Sequence, residues 1–187
     1  MLTPNFEPFP IIQTEHLVLR RISISDVAEI FNMRSDTRVM KYIDRPIAES
    51  LDDALILIAK IDESLSLNDG ITWGIALNEN QELIGTIGFW RIDKPNYRAE
   101  IGYLMKMEWQ GKGLMQEAMS VVISYGFGNM QLHSIEANVN PENILSKKIL
   151  EKNGFVQEAY YKENYFHNGS FLDSAIYSLL TPKENSL

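Results

Sequence analysis

The chain has 187 residues, 45% of them hydrophobic and 22% charged, which is enough for one domain with a substantial core. A formal net charge of −8 argues against phosphate-backbone binding as the main activity, so direct nucleic-acid binding is not expected. Without cysteine there is no disulfide framework, thiol nucleophile or thiolate metal site, and His16, His133 and His167 are too scattered for a metal cluster. No apolar run reaches membrane-spanning length and the N-terminus lacks a basic-then-apolar signal pattern, so a cytoplasmic protein without membrane attachment is expected.

Residues 1–15 contain Pro4, Pro8 and Pro10 and read as an extended arm; residues 16–181 read as one domain, and 182–187 as a polar tail. His16 to Ile22 alternates as a first strand. Ser23 to Asp26 has the form of a capping box, followed by Val27, Ile30, Phe31 and Arg34 at helical spacing. Residues 35–46 are irregular, with Arg38, Tyr42 and Asp44 as candidate pocket residues. A second box at Ser50 to Asp53 opens a helix with Leu51, Leu55, Ile58 and Leu65 as its apolar stripe, stopped by Asn68-Asp69-Gly70.

The period then changes to two. Ile71 to Leu77, Leu83 to Asp93 and Tyr97 to Met105 alternate between short turns, the pattern of an antiparallel meander. Trp109-Gln-Gly-Lys-Gly-Leu-Met-Gln-Glu-Ala118 follows, and its two glycines lead into a helix with Met115, Ala118, Met119, Val122 and Tyr125 on one face. Glycine lets the backbone approach a ligand closely, and the free amides of a helix start suit a pyrophosphate. Gly-x-x-x-x-Gly-Lys-Ser/Thr is absent, and Gln116 stands where the third glycine of Gly-x-Gly-x-x-Gly belongs, so the common nucleotide loops do not fit. Leu132 to Val139 is a strand again, giving a βαβ unit with local parallel pairing. Asn140-Pro141 reads as an N-cap and first helical residue; that helix stops at Gly154, with Asn143, Ser146 and Leu150 near one line and Leu145 and Ile149 as the core-facing edge. Phe155 to Phe166 and Phe171 to Leu180 form a hairpin turned by Asn168-Gly169.

Gln110, Gly113 and Met115 match Gln/Arg-x-x-Gly-x-Gly/Ala except at the last place, where Met departs from a small residue. Together with Asn143-x-x-Ser146, Leu150-Glu-Lys-Asn-Gly-Phe155 and the strand Ala99-Glu-Ile-Gly-Tyr103, this resembles the GNAT N-acetyltransferases over residues 15 to 181. Gly-x-Gly-x-Met-x-Glu-Ala is familiar in the branch that acetylates the N-terminal alanine of ribosomal proteins (RimJ/RimL-like). The resemblance implies an α/β (α+β) domain: a mixed central sheet with an antiparallel N-terminal meander, a parallel βαβ acetyl-CoA site, a C-terminal hairpin, and helices on both faces.

It further implies acetyl-CoA as a consumed co-substrate, no metal, and a V-shaped opening between the strands of Tyr103 and Glu136. Pantetheine is expected against the backbone of Tyr103, Leu104 and Met105, with the Leu104 amide polarising the thioester. The pyrophosphate is expected on the amides of Gly111, Lys112, Gly113, Leu114 and Met115, beside Gln110, with Asn143 and Ser146 across the opening. Glu100, a carboxylate inside an apolar strand, is the first candidate for base and Glu136 the reserve. Ser146 is the candidate donor to the departing thiolate, with Tyr160, Tyr161 and Tyr165 as alternatives. The implied acceptor is a protein N-terminal amine; the alternatives are a small amine (polyamine, aminoglycoside or amino acid) or a non-catalytic acyl-CoA-binding domain. Monomer and homodimer both remain open, the C-terminal hairpin offering an edge for pairing.

Overall fold

The computed structural model describes residues 1–167 and 169–182; Asn168, half of the expected hairpin signal, and tail residues 183–187 lie outside them. The period-two segments become strands β1 (Ile12–Gln13), β2 (Leu17–Arg21), β3 (Ile71–Leu77), β4 (Leu83–Asp93), β5 (Arg98–Met105), β6 (Ser134–Val139), β7 (Val156–His167) and β8 (Ser170–Leu180). They form one eight-stranded sheet in the order β1-β2-β3-β4-β5-β6-β8-β7. The pair β5–β6 is parallel and its neighbours are antiparallel, so the expected mixed sheet is present.

Helices α1 (Val27–Ser35), α2 (Leu51–Ser66), α3 (Leu114–Gly128) and α4 (Ile144–Lys152) cover both faces. One core joins Trp73, Phe89, Ile101 and Tyr177 to Ala118, Met119 and Val122 of α3 and Leu150 of α4. The other joins Ile30 and Met33 of α1 to Ala54 and Ile58 of α2, with Leu83 and Leu104 from the sheet. Lys106, just past β5, is buried and ties α1 to the sheet: its Nζ lies 2.5 Å from Glu29 and 2.8 Å from Glu82. The loop after β5 therefore starts from a fixed point.

Three sequence expectations change. The N-terminal arm is part of the core: Leu2 and Phe6 are buried, Ile12–Gln13 pairs with β2, and the Trp73 indole N–H donates to the Pro10 carbonyl at 2.7 Å. On α2, Leu51 and Leu55 are exposed, and Ala54, Leu57, Ile58, Ile61 and Leu65 face inward. Both sets have helical spacing, and only the neighbouring elements choose between them. Finally, α4 starts later than Asn140-Pro141 suggests. Asn143 is the N-cap, its side chain accepting from the Ser146 amide at 3.1 Å, while Asn140 closes the preceding turn by accepting from the Glu142 amide at 2.9 Å.

The sheet leaves no room for side chains at some positions. A Cβ on Gly88 would lie 2.1 Å from the Ile71 carbonyl oxygen and 2.7 Å from Thr72 Cα, both backbone atoms of the paired strand β3. Gly88→Ala is expected to destabilise the fold by about 3 kcal/mol, read as a fall in Tm of roughly 6–12 °C. Gly128→Ala, at the end of α3 with nothing near its Cβ, is the control and should leave Tm unchanged or slightly raised.

Candidate active site

The pairing of β5 with β6 covers Arg98↔Ser134, Ala99↔Ile135 and Glu100↔Glu136, and stops there. Beyond Glu100 the two strands diverge, β5 held by β4 and β6 by β8, which opens the expected V. Which backbone groups line it follows from the ladder. Lys106 N–H donates to the Ile84 carbonyl on the β4 side at 2.9 Å, and the Tyr97 carbonyl accepts from His133 on the β6 side at 2.7 Å. Main-chain groups alternate along a strand. Even-numbered residues of β5 therefore address β4, and Ile101, Tyr103 and Met105 address the opening. The Leu104 amide, expected as the thioester polariser, is committed to the ladder; Tyr103 and Met105 own the free edge, and Leu104 contributes its side chain to the cleft wall.

The glycine loop sits at the end of this edge. Gly111 and Gly113 have φ of +75° and +84°, in the left-handed region that favours glycine, and beyond the adjoining residues no protein atom lies within 4 Å of either Cβ position. The space in front of the loop is thus clear for a ligand. Inside α3 the first backbone bond runs from Glu117 N–H to the Gly113 carbonyl at 3.0 Å, which leaves the amides of Leu114, Met115 and Gln116 facing outward at the positive end of the helix. Gln110 anchors the loop, donating to the Met105 carbonyl at 2.9 Å. Lys112 lies over the Trp109 ring, 4.4 Å from its centroid. Gln116 and Asn153 exchange side-chain hydrogen bonds of 2.7 and 3.1 Å, fixing α3 to the end of α4.

A cleft of about 410 Å³ runs between β5, the loop and α4, and its walls include Tyr42, Tyr103, Leu104, Met105, Gly111 and Ser146. Ser146 is buried, and its Oγ lies 2.6 Å from the Tyr103 hydroxyl across the opening. Burial pushes the Tyr103 phenol up to about 12, so it stays protonated at neutral pH. The alternatives proposed for the acid stand elsewhere: Tyr160 and Tyr161 are exposed on the outer hairpin, Tyr160 bound to Asp173, and none of Tyr160, Tyr161 and Tyr165 lines the cleft. The tyrosine that meets Ser146 is one assigned from sequence only for its backbone.

Strand alternation puts Tyr103 on the α3 face, with Ala99, Ile101 and Met105, and Glu100 on the opposite face, with Gly102 and Leu104. Glu100 is buried and pairs in register with Trp90 of β4 and Glu136 of β6. Burial raises its carboxyl to about 7, opposed by the Arg91 guanidinium at 3.4 Å and reinforced by Glu136 and Asp44. Glu136 is itself 3.5 Å from Arg98. Of the suggested pocket residues, Tyr42 lines the cleft, Asp44 faces Glu100 electrostatically, and Arg38 pairs with Asp36 on the surface.

Lys148 and Lys152, one turn apart on α4, also line the cleft, and nothing in the sequence distinguishes them from solvated helical lysines. Leu145, expected in the core, is 69% exposed at the cleft's edge. Three cationic side chains (Lys112, Lys148 and Lys152) near a loop of free amides suit an anionic, phosphate-bearing ligand. Among the described residues no group of three or more acidic or histidine side chains is placed to hold a metal, and no helix is long and apolar enough to cross a membrane.

Comparison with known proteins agrees with this geometry. A family model described as an acetyltransferase (GNAT) domain matches residues 16–156. Uncharacterized N-acetyltransferase YoaA of Bacillus subtilis (strain 168) is 36% identical over 176 residues, covering 94% of this chain and 99% of that one. The [ribosomal protein uS5]-alanine N-acetyltransferase of Escherichia coli (strain K12) is 31% identical over 126 residues, 67% of this chain and 65% of that one. The solved spermidine N-acetyltransferase of Vibrio cholerae, in complex with CoA and spermine, superposes with a TM-score of 0.79 at 26% identity, covering 89% of this chain and 96% of that one. By its sheet, its divided strand pair, its glycine loop and these likenesses, the chain belongs to the GNAT acetyltransferase family and is an acetyl-CoA-dependent N-acetyltransferase.

Proposed function

We propose that the acceptor is the α-amine at a protein N-terminus, ribosomal proteins being the first class to test. The observation that carries this reading is Glu100, a buried carboxyl held at about 7. A base works best near the operating pH and near the pKa of its partner. An α-amine near 7.8 costs about 1 kcal/mol to deprotonate at pH 7, whereas an alkyl amine near 10.4 costs about 4.6 kcal/mol. Glu100 is matched to the first. The similarity to the uS5-alanine enzyme points the same way. Asp44 and Glu136 near Glu100 favour a small polycationic amine instead, as does the similarity to the spermidine enzyme, but Arg45, Arg91 and Arg98 offset that acidity.

In this reading the amine binds uncharged on the Glu100 face of β5. Its lone pair attacks the thioester carbon, the carbonyl oxygen is stabilised by an amide of the free edge at Tyr103 or Met105, and the Glu100 carboxylate takes the proton that the positively charged nitrogen must lose, directly or through one water. The carbon–sulfur bond breaks, and Ser146, backed by the protonated Tyr103, donates to the departing sulfur and is reprotonated from solvent, to which Glu100 returns its proton. The cofactor's phosphates rest on the amides of Gly111 to Met115, with Lys112, Lys148 and Lys152 supplying charge.

Gly113→Val should weaken acetyl-CoA binding at least tenfold by calorimetry while circular dichroism stays unchanged, because its φ of +84° strains a branched residue and its side chain fills the ligand's space. Ser146→Ala and Tyr103→Phe should each lower kcat about 10²-fold, with the double variant no worse than the worse single one, since both act on one proton. Glu100→Gln should lower kcat/KM by about 10²–10⁴. Its pH profile should also change: below about pH 6.5 the log–log slope falls from roughly two (base and amine both losing protons) to one. For stability the sign is opposite. The folded chain holds the Glu100 proton more tightly than the unfolded chain, so this group withdraws stability as pH rises from 4.5 through about 7. Glu100→Gln should therefore raise Tm relative to the parent at pH 8 and not at pH 4.

A further inference from the structure

Next to Glu100 the strand β4 departs from regular pairing: its register with β5 shifts between Trp90 and Asp93, and Arg91 adopts φ of +51°. For a non-glycine residue that conformation is uncommon and strained. In a regular strand Arg91 would point away from the face that Trp90 and Glu100 share. The bulge turns it back, so that its guanidinium lies 4.3 Å from the centroid of the Trp90 ring and 3.4 Å from Glu100. Re-aiming a side chain beside a site is a common use of such a bulge.

A second guanidinium reaches the same ring from the segment between α1 and α2. Arg45 lies 5.5 Å from the Trp90 centroid. Its carboxylate partner is the adjacent Asp44, at 3.1 Å and about half exposed, a contact of the kind worth little in water. Arg91 is 66% exposed on its side chain and touches Glu100 through one long contact, so most of its five N–H donors are free. Behind them the half-buried Arg34 spends a donor on the Pro46 carbonyl at 3.4 Å, and its pKa is lowered by burial and by the charge of Arg45. In a chain of net charge −8, three arginines thus gather where the amine should enter. Asp44 and Glu136 balance part of that charge, and the free guanidinium donors offer a purely cationic acceptor nothing to bind. An acceptor with an anion near its amine meets planar donors suited to a carboxylate.

We propose that Arg91 and Arg45, stacked on Trp90, form a carboxylate-binding subsite, and that the preferred acceptor is a peptide with an acidic residue within its first few positions. This rests on the peptide-N-terminus reading above. The distance suits it: Arg91 touches Glu100, so the anion must lie one or two residues from the reacting amine, and successive Cα atoms are about 3.8 Å apart.

The test is acetyl-transfer kinetics on tetrapeptides of one N-terminal residue carrying Glu, Gln or Lys at the second or third position, with spermidine alongside, for the full chain and for Arg91→Ala, Arg45→Ala and Arg91→Lys. The readout is the ratio of kcat/KM for the Glu peptide to that for the Gln peptide, which is insensitive to a uniform loss of activity. A ratio of ten or more, falling towards one in both alanine variants and partly kept in Arg91→Lys, supports the subsite. Peptides accepted with a ratio near one, or a ratio unmoved by either alanine variant, overturn it while leaving the N-terminal reading intact. Spermidine accepted and every peptide refused removes the N-terminal reading and the subsite with it.

Discussion

The structure depends on a hydrogen-bond ladder that ends early. After Glu100, β5 and β6 part, and the backbone groups of Tyr103 and Met105 on that side are left without a neighbouring strand. Unpaired main-chain groups inside a fold are costly, so the opening demands a partner. The chain satisfies part of it internally: Gln110 caps the Met105 carbonyl, and the Tyr103 hydroxyl reaches Ser146 on α4. What remains has the polarity of an extended, amide-bearing ligand, with free helix-start amides at one end. The same divergence thus opens the cleft and, in the proposed reading, sets β5 as the wall between cofactor and acceptor.

Period-two alternation on that wall separates the chemistry. Tyr103 projects to the α3 face, where it meets the serine; Glu100 projects to the other, where it meets Trp90, Arg91 and Glu136. In the proposed mechanism the base, Glu100, and the tyrosine that backs the thiolate donor therefore act from opposite sides of one strand, three residues apart. Such a site needs rigidity more than it needs many residues. Lys106 bound to Glu29 and Glu82, and Gln116 locked to Asn153, supply it at the two ends of the glycine loop.

The sheet and the loop were legible because they rest on local signals: alternation, turn residues and paired glycines. The errors cluster where local pattern is degenerate. On α2 two apolar stripes satisfy helical spacing, and Ala54 and Ile61 beat Leu51 and Leu55 only once α1 and the sheet are in place. Asn140 and Asn143 are both good caps, and the turn that Asn140 closes decides between them. The choice between Leu104 and its neighbours depends on which strand flanks β5 on each side, which no single stretch encodes. Tyr103 as a partner of Ser146 is a contact across forty-three residues, and the re-aimed Arg91 depends on a bulge with no glycine to announce it. In the arm the prolines that make it extended are visible in the sequence, and the pocket that receives Phe6 is not.

A crystal structure of the chain with CoA and a short N-terminal peptide tests the central claim most directly. The expected result has pantetheine amides bonded to the main chain of Tyr103 and Met105, the sulfur within hydrogen-bond reach of Ser146 Oγ, and the peptide amine on the opposite face within one water of Glu100. A sulfur remote from Ser146, or an acceptor amine on the Tyr103 face away from Glu100, would contradict the division of roles across β5.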